Sequence, residues 1–293
     1  MTKVLCIGDI MLDVTAVVGA PIRQGVETRA AITTQGGGAA ANVASWLAVS
    51  GIPSHLVVRI GDDVAGQTVL ADLDNYGVTH SHKVISGAST GVVIVLVDAL
   101  GERTMFPDSG ANSGLSLSDL PSLDEITVVY LSGYPLVNPK SRSGALDILR
   151  RVKAQGLPVI FDPSTVGVLL DVGLDQVREW LTLVDVVILN EEEARFLSGK
   201  SNPVEAAEEL LALTPLVVIK RGGMGALASG RGRALVQIPA VPAQVVDTTG
   251  AGDSFAAGFI QGWIKSSDLL EALESAANLA AKCVAFVGAR PPL

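Results

Sequence analysis

The sequence predicts a three-layer α/β/α sandwich with a mostly parallel central sheet and a small β lid. Three observations carry that reading. Apolar runs at residues 92–97, 128–131, 159–161, 184–189 and 216–219 are nearly uninterrupted, as in strands covered on both faces. From Val128 onward the runs alternate with helical patterns, which implies right-handed βαβ units. Residues 16–34 differ: they mix Gly, Pro and charges with modest alternation, and read as exposed strands leaving the main sheet. With 48% hydrophobic and 17% charged residues, the chain can bury a substantial core. No repeat or long linker divides it. One domain, residues 1–293, is expected, with its lid formed from about 14–35 and 90–108.

Each element follows in order. Val4 to Ile7 form a short buried strand that ends in Gly8-Asp9. Residues 36–44 are a glycine turn running into an alanine-rich helix that reaches about Val49. A strand at 56–60 and a helix at 64–75 come next. Segments 91–98 and 103–106 flank Ala99-Leu100-Gly101-Glu102, a hairpin-like break, and pair with 16–34 as the lid. Strands near Val128, Val159, Val186 and Val217 alternate with helices near 142–155, 174–183 and 204–213. Gly230-Arg231-Gly232 interrupts that order and marks an antiparallel hairpin over 227–239. Two helices close the chain, at 253–265 and 268–286. Phe255, Phe259 and Trp263 recur at i, i+4 and i+8 in the first of these.

Several function classes are disfavoured. A net charge of −9 argues against broad binding to nucleic acid or anionic membranes. No apolar run reaches the ~18 residues of a membrane span, and no secretory pattern opens the chain. Cys6 and Cys283 fall in apolar runs and read as buried thiols of a reducing, cytoplasmic protein. His55, His80 and His82 lack metal-ligand spacing, and His80-Ser81-His82 reads as a solvated loop. No P-loop and no Gly-x-Ser-x-Gly elbow occurs. Gly223-Met224-Gly225-Ala226-Leu227-Ala228 mimics a dinucleotide fingerprint, but it precedes a hairpin rather than a helix.

The chemistry-bearing stretch is Asp247-Thr248-Thr249-Gly250-Ala251-Gly252-Asp253. A glycine turn opening a helix presents free N–H groups and the positive dipole end, which suits phosphate. A carboxylate in that turn would repel phosphate, unless Asp253 is a general base beside the transferring group. The competing reading is a helix cap. Gly36-Gly37-Gly38 lets the backbone approach a ligand, and Asn42, one turn on, can bind hydroxyls; a flexible turn with an exposed Asn is the alternative. Asp13, beyond the first strand's C-terminal end, can accept sugar hydroxyls or be an ordinary surface turn residue. Asn190-Glu191-Glu192-Glu193 reads either as a capped helix start or as a Mg²⁺ site at Asn190 and Glu193. Lys220 and Arg221, before Gly222-Gly223, suit ATP phosphates or a solvated turn.

Taken together, these motifs resemble the ribokinase-like (PfkB) family of carbohydrate kinases across nearly the whole chain. Gly37-Gly38-Ala39-Ala40-Ala41-Asn42 is similar to its N-terminal sugar motif, Asn190-x-x-Glu193 to its metal and phosphate motif, and 247–253 to its C-terminal signature. The resemblance implies an ATP-dependent kinase of a hydroxymethyl group on a small sugar or sugar acid. Asp253 would be the base, with Gly250, Ala251 and Gly252 as the anion hole. Asp13, Gly37, Gly38 and Asn42 would hold the acceptor. Asn190, Lys220, Gly222, Gly223, Gly225 and Asn278 would bind ATP. Glu193 would serve Mg²⁺ through water, and Asp247, Thr249, Val284 and Val287 a monovalent cation such as K⁺. It also implies a homodimer through the lid. Two positions depart from ribokinase itself: Gly133 and Ala39 stand where it has Glu and Lys. Asp162-Pro163-Ser164 lacks the Asn of many fructokinase-like and ketodeoxygluconate-kinase-like relatives, while 101–104 resemble sugar-kinase lids. A nucleoside kinase of adenosine or pseudouridine type on the same fold is the alternative. A catalytically silent sensor is a third.

Overall fold

The computed structural model describes residues 3–99 and 102–292. The chain runs β1 (Val4–Ile7), β2 (Met11–Val17), β3 (Ala31–Gly37), α1 (Ala39–Val49), β4 (Ser54–Gly61), α2 (Val64–Asn75), β5 (Thr79–Ile85), β6 (Val92–Val97) and β7 (Arg103–Asp108). It continues through β8 (Val128–Ser132), α3 (Tyr134–Val137), α4 (Arg142–Ala154), β9 (Val159–Asp162), α5 (Val166–Val172), α6 (Leu174–Leu181), β10 (Val186–Asn190), α7 (Glu191–Ser198) and α8 (Pro203–Leu210). The last elements are β11 (Leu216–Lys220), β12 (Ala226–Gly230), β13 (Val236–Ile238), α9 (Ala251–Ser266) and α10 (Leu269–Cys283).

Among the described residues the main sheet has the order β13-β12-β11-β10-β9-β8-β1-β4-β5. It is parallel from β11 through β5, and β12 and β13 add the expected antiparallel hairpin. The period of two in each strand sorts the core into two halves. Cys6, Tyr130, Ile188 and Val218 pack with Trp46 of α1 and Phe255 and Phe259 of α9. Leu5, Ile7, Val129, Phe161, Val187 and Val217 pack against the other side, with Ile148 of α4, Trp180 of α6 and Leu210 of α8. Helices therefore cover both faces, as the apolar runs require.

The lid is a separate sheet, β3-β2-β6-β7. Its strands start earlier and end later than the sequence suggested. Asp13 lies within β2 rather than in a turn, and Gly36 and Gly37 close β3 rather than forming a loop. Asp13, Thr15 and Val17 face the cavity described below, which breaks the apolar pattern that would have announced a strand. The hairpin-like break between β6 and β7 falls partly on Leu100 and Gly101, which lie outside the described residues.

The solvated loop expected around His80 and His82 is instead β5, paired in parallel with β4. Its polar residues are tolerated because β5 is an edge strand of the main sheet. His80 and His82 contact each other at 3.0 Å, and His80 contacts Asp74 at 3.2 Å. No group of three potential metal ligands occurs among the described residues.

Candidate active site

The C-terminal ends of β1, β8, β9 and β11, the start of α9 and the inner face of the lid enclose a cavity of about 690 Å³. Open parallel sheets leave room for ligands at this end. Of the residues the sequence singled out, Asp13, Gly38, Asn42, Lys220, Gly252 and Asp253 line it. Asp247, Thr249 and Val287 lie at its wall as well.

Asp253 sits in the first turn of α9, whose first intrahelical bond runs from Ser254 N to Gly250 O. The Gly252 and Asp253 amides precede that bond and so lack helical partners. The Ala251 amide, by contrast, is engaged with Thr248 O at 3.3 Å. Gly250 has φ +75°, and a Cβ there would meet the Ala289 backbone at 2.5 Å. The turn therefore needs glycine for both conformation and space.

The Asp253 side chain does not cap the helix. Its Oδ2 accepts from Asn42 Nδ2 at 2.8 Å, across 211 residues of sequence. Burial pushes its carboxyl up to about 7. Asp162 and Asp9 push the same way, while the Asn42 bond and Lys220 oppose them. Lys220 Nζ lies 2.7 Å from Asp162 Oδ2, and 3.3 Å from where a Gly252 Cβ would stand. The glycine thus lets an ammonium approach the turn. Burial alone would lower the Lys220 amine, but Asp162 and Glu193 hold it above its ordinary value.

Gly37 and Asp13 fit one another: a Cβ on Gly37 would meet the Asp13 carboxylate at 2.3 Å. Burial raises Asp13 to about 6, against the pull of the Arg290 guanidinium. The sequence reading missed Asp9, whose buried carboxylate accepts from Ala39 N and Ser132 Oγ, each at 3.0 Å. Its place at the strand end after Gly8 was the available signal. Arg290 was also missed, and no spacing announces it.

Other expected residues stand outside the cavity. Asn190 and Glu193 form a closed capping box: Glu193 accepts from Asn190 N at 2.8 Å and from Nδ2 at 2.6 Å, and returns its own N–H to Oδ1 at 2.9 Å. Burial raises this carboxyl to about 7, with Lys220 opposing. Arg221 pairs with Glu191 at 3.1 Å rather than facing the cavity. Gly222 and Gly223 lie in an open turn, while Gly225 abuts the end of β13. Asn278 is exposed on α10 and donates to Glu274 O.

Of the groups assigned to a monovalent cation, Asp247, Thr249 and Val284 are engaged with the protein itself, while Val287 lies exposed at the cavity wall. Asp247 accepts from Thr249 N and Gly288 N at 2.7 and 3.0 Å, and pairs with the Arg103 guanidinium, which also donates to the Thr249 hydroxyl. Val284 O accepts from Val246 N and Asp247 N.

An amide-lined turn, a lysine beside it and a half-buried carboxylate facing an open cavity define a phosphotransferase-type site. The sequence model described as pfkB family carbohydrate kinase matches residues 1–293, and the chain belongs to that family. It is 33% identical to a fructokinase of Klebsiella pneumoniae, over 85% of this chain and 84% of that one. Two solved structures are similar. A ribokinase of Arabidopsis thaliana complexed with ribose and ATP superposes with TM-score 0.83 at 27% identity, covering 99% of this chain and 95% of that one. The adenosine kinase of Sinorhizobium meliloti gives 0.88 at 25%, covering 100% and 96%.

Proposed function

We propose that the protein transfers the γ-phosphoryl group of ATP to a hydroxymethyl group of a small sugar or sugar acid. The observation that carries this is Asp253: a carboxylate held by Asn42 at the mouth of an amide turn, with a carboxyl near 7. In the reading, Asp253 takes the acceptor hydroxyl's proton as the new O–P bond forms and the β,γ-bridging P–O bond breaks. The Gly252 and Asp253 amides and Lys220 receive the charge on the phosphoryl oxygens. Asp13, the Gly37–Gly38 backbone and Asn42 orient the acceptor.

Mg²⁺ arriving with ATP supplies charge neutralisation at the phosphates. Glu193 and Asn190 are oxygen donors of the right hardness, and their closed box suits a role behind the metal's waters. Gly222 and Gly223 offer an open shelf beyond Lys220 for the rest of ATP, with Gly225 shaping it and Asn278 further out toward the adenine. Buried free thiols at Cys6 and Cys283 support a cytoplasmic setting. No helix among the described residues is long and apolar enough to cross a membrane.

A nucleoside acceptor is the second reading, and the lid favours it. Its inner wall is apolar at Val93, Val95, Val97, Met105 and Pro107. The cations of that cavity, Lys220 and Arg103, are already paired with carboxylates. An uncharged acceptor with a flat apolar group suits such a wall.

An ADP-release screen over sugars, sugar acids, sugar phosphates and nucleosides tests both readings. Asp253→Asn should fold and lose at least ~10²-fold in kcat, the lower end for a general base. An unchanged kcat would sink the mechanism. Ligand binding with no ADP release from any acceptor would instead favour a silent sensor.

A further inference from the structure

One buried cation touches the acceptor side of the site without lining it. Arg290 is 7% exposed and reaches in from the segment after α10. Its Nη2 donates to Gly37 O at 3.0 Å and its Nε to Asn42 Oδ1 at 3.4 Å. Its Nη1 pairs with Asp72 of α2, and its guanidinium lies 6.0 Å from the Tyr76 ring centroid. The segment itself is pinned, because Trp46 Nε1 donates to Ala289 O at 2.8 Å. Gly36 makes room for the guanidinium: a Cβ there would meet Nη1 at 2.2 Å.

These contacts bear on the base through Asn42. The carboxamide of Asn42 has two distinguishable ends. Its oxygen faces a cationic donor and its nitrogen faces the Asp253 carboxylate. Turning it over would set NH₂ against guanidinium and carbonyl against carboxylate, two repulsive contacts in a buried place. The long 3.4 Å contact therefore still decides the orientation, because the alternative is penalised at both ends.

We propose that Arg290 is a positioning residue for the phosphotransfer site: it fixes the Asn42 carboxamide with Nδ2 on Asp253 and holds the Gly37 carbonyl behind Asp13. The inference refines the kinase reading above, and its geometry concerns residues that reading already uses. Asn42 in its observed orientation stabilises ionised Asp253, and the Arg290 charge stabilises ionised Asp13. The other groups acting on Asp253 are Asp9 beyond β1, Asp162 of β9 and Lys220 of β11. None of them contacts Arg290, so they remain in place when it is changed.

The test uses Arg290→Met and Arg290→Lys in the full chain. The first readout needs no substrate: ¹³C NMR titration of the aspartate carboxyls, with the Asp253 signal assigned from the Asp253→Asn spectrum. In Arg290→Met the Asp253 midpoint should move up by half a pH unit or more. In Arg290→Lys, which keeps the charge, it should move less. The second readout is the acid limb of kcat/KM against pH with the best acceptor from the screen. It should shift upward in the same order, and kcat at pH 7 should fall about tenfold in Arg290→Met. Adding Arg290→Met to Asn42→Ala should cost little further kcat, because both act on the base through one carboxamide. An Asp253 midpoint that stays put in a folded Arg290→Met protein overturns the proposal. So does full additivity of the two substitutions in kcat. Either result would leave Arg290 as a staple of the C-terminal segment. Failure of the kinase reading shows separately, as turnover that survives Asp253→Asn.

Discussion

At the scale of single residues, the site concentrates carboxylates that chemistry elsewhere would keep apart. Asp9, Asp13, Asp162 and Asp253 all line one cavity, and burial raises three of them, Asp9, Asp13 and Asp253. Such crowding costs stability, and it leaves a carboxyl that exchanges its proton near neutrality. Ser164 carries a second cost. It holds φ +90°, one of two non-glycine residues with positive φ among the described residues. Its buried hydroxyl lines the cavity with no partner in the protein, while its N–H donates to Asp162 Oδ1 at 3.1 Å. Strain of that kind persists where the surroundings impose it, often at ligand sites. We expect Ser164→Gly to raise stability by about 1 kcal/mol, after the ~0.5–1 kcal/mol entropy penalty of glycine. Its KM for the acceptor or for ATP should rise. Thermal melts and steady-state kinetics check the two halves, and a lower Tm would show that the hydroxyl, not the backbone, dominates there. The residues legible in the sequence were those whose neighbours in the chain share their task, such as Gly250, Gly252 and Asp253. Arg290 and the Asn42–Asp253 bond were not legible, because their partners lie more than 200 residues away and only folding joins them.

At the scale of elements, period and length decided what could be read. The buried strands β8 to β11 declared themselves as apolar runs, and α9 through Phe255 and Phe259. The edge strand β5 and the first lid strand β2 did not, because each spends alternate positions on polar surfaces. The short helices α3 and α5 are too brief to show a period. Within the lid, alternation carries a further consequence. Asp13, Thr15 and Val17 face the cavity, so Val14 and Ala16 face away. In register with them, Val14 pairs with Ile94, which pairs with Phe106, and Ala16 pairs with Ile32. Ile32, Ile94 and Phe106 are 65%, 46% and 53% exposed. A contiguous apolar face on an open sheet supports self-association of two lids. Phe106→Glu should then shift the protein toward monomer in sedimentation equilibrium at micromolar concentration. An unaltered mass, monomeric before and after, would remove the lid as an interface.

At the scale of the whole molecule, the crowded carboxylates set the pH dependence of stability. Burial raises Asp13 to about 6, and Asp253 and Glu193 to about 7. Their folded values exceed their unfolded ones, so the folded state binds more protons between about pH 4 and 7. The stability they confer is complete below that window and is lost as pH rises through 6 to 7. Asp63 and Asp247 have the opposite sign, since hydrogen bonds lower them against burial; their stability is lost only in stronger acid. His55 and His82, lowered by burial, lose stability as pH falls through 6.5 and oppose the raised carboxylates within the same window. A single melting curve against pH therefore mixes signs, whereas a difference between two proteins isolates one group. Asp253→Asn removes the charge that burial penalises and keeps an oxygen to accept from Asn42. At pH 8 it should melt higher than the parent by about 4 °C, taking ~2 kcal/mol from a shift of about three units at 1.36 kcal/mol each, cut by half for water in the cavity. At about pH 3.5, below the window in which the two states bind protons differently, the two should melt within about 1 °C of each other. A substitution expected to lower kcat at least ~10²-fold would thus stabilise the fold, as expected where a site is organised for chemistry rather than for packing. An equal difference at both pH values would mean that Asp253 ionises in the fold as easily as in the unfolded chain, and the base would then have to be sought elsewhere in the cavity.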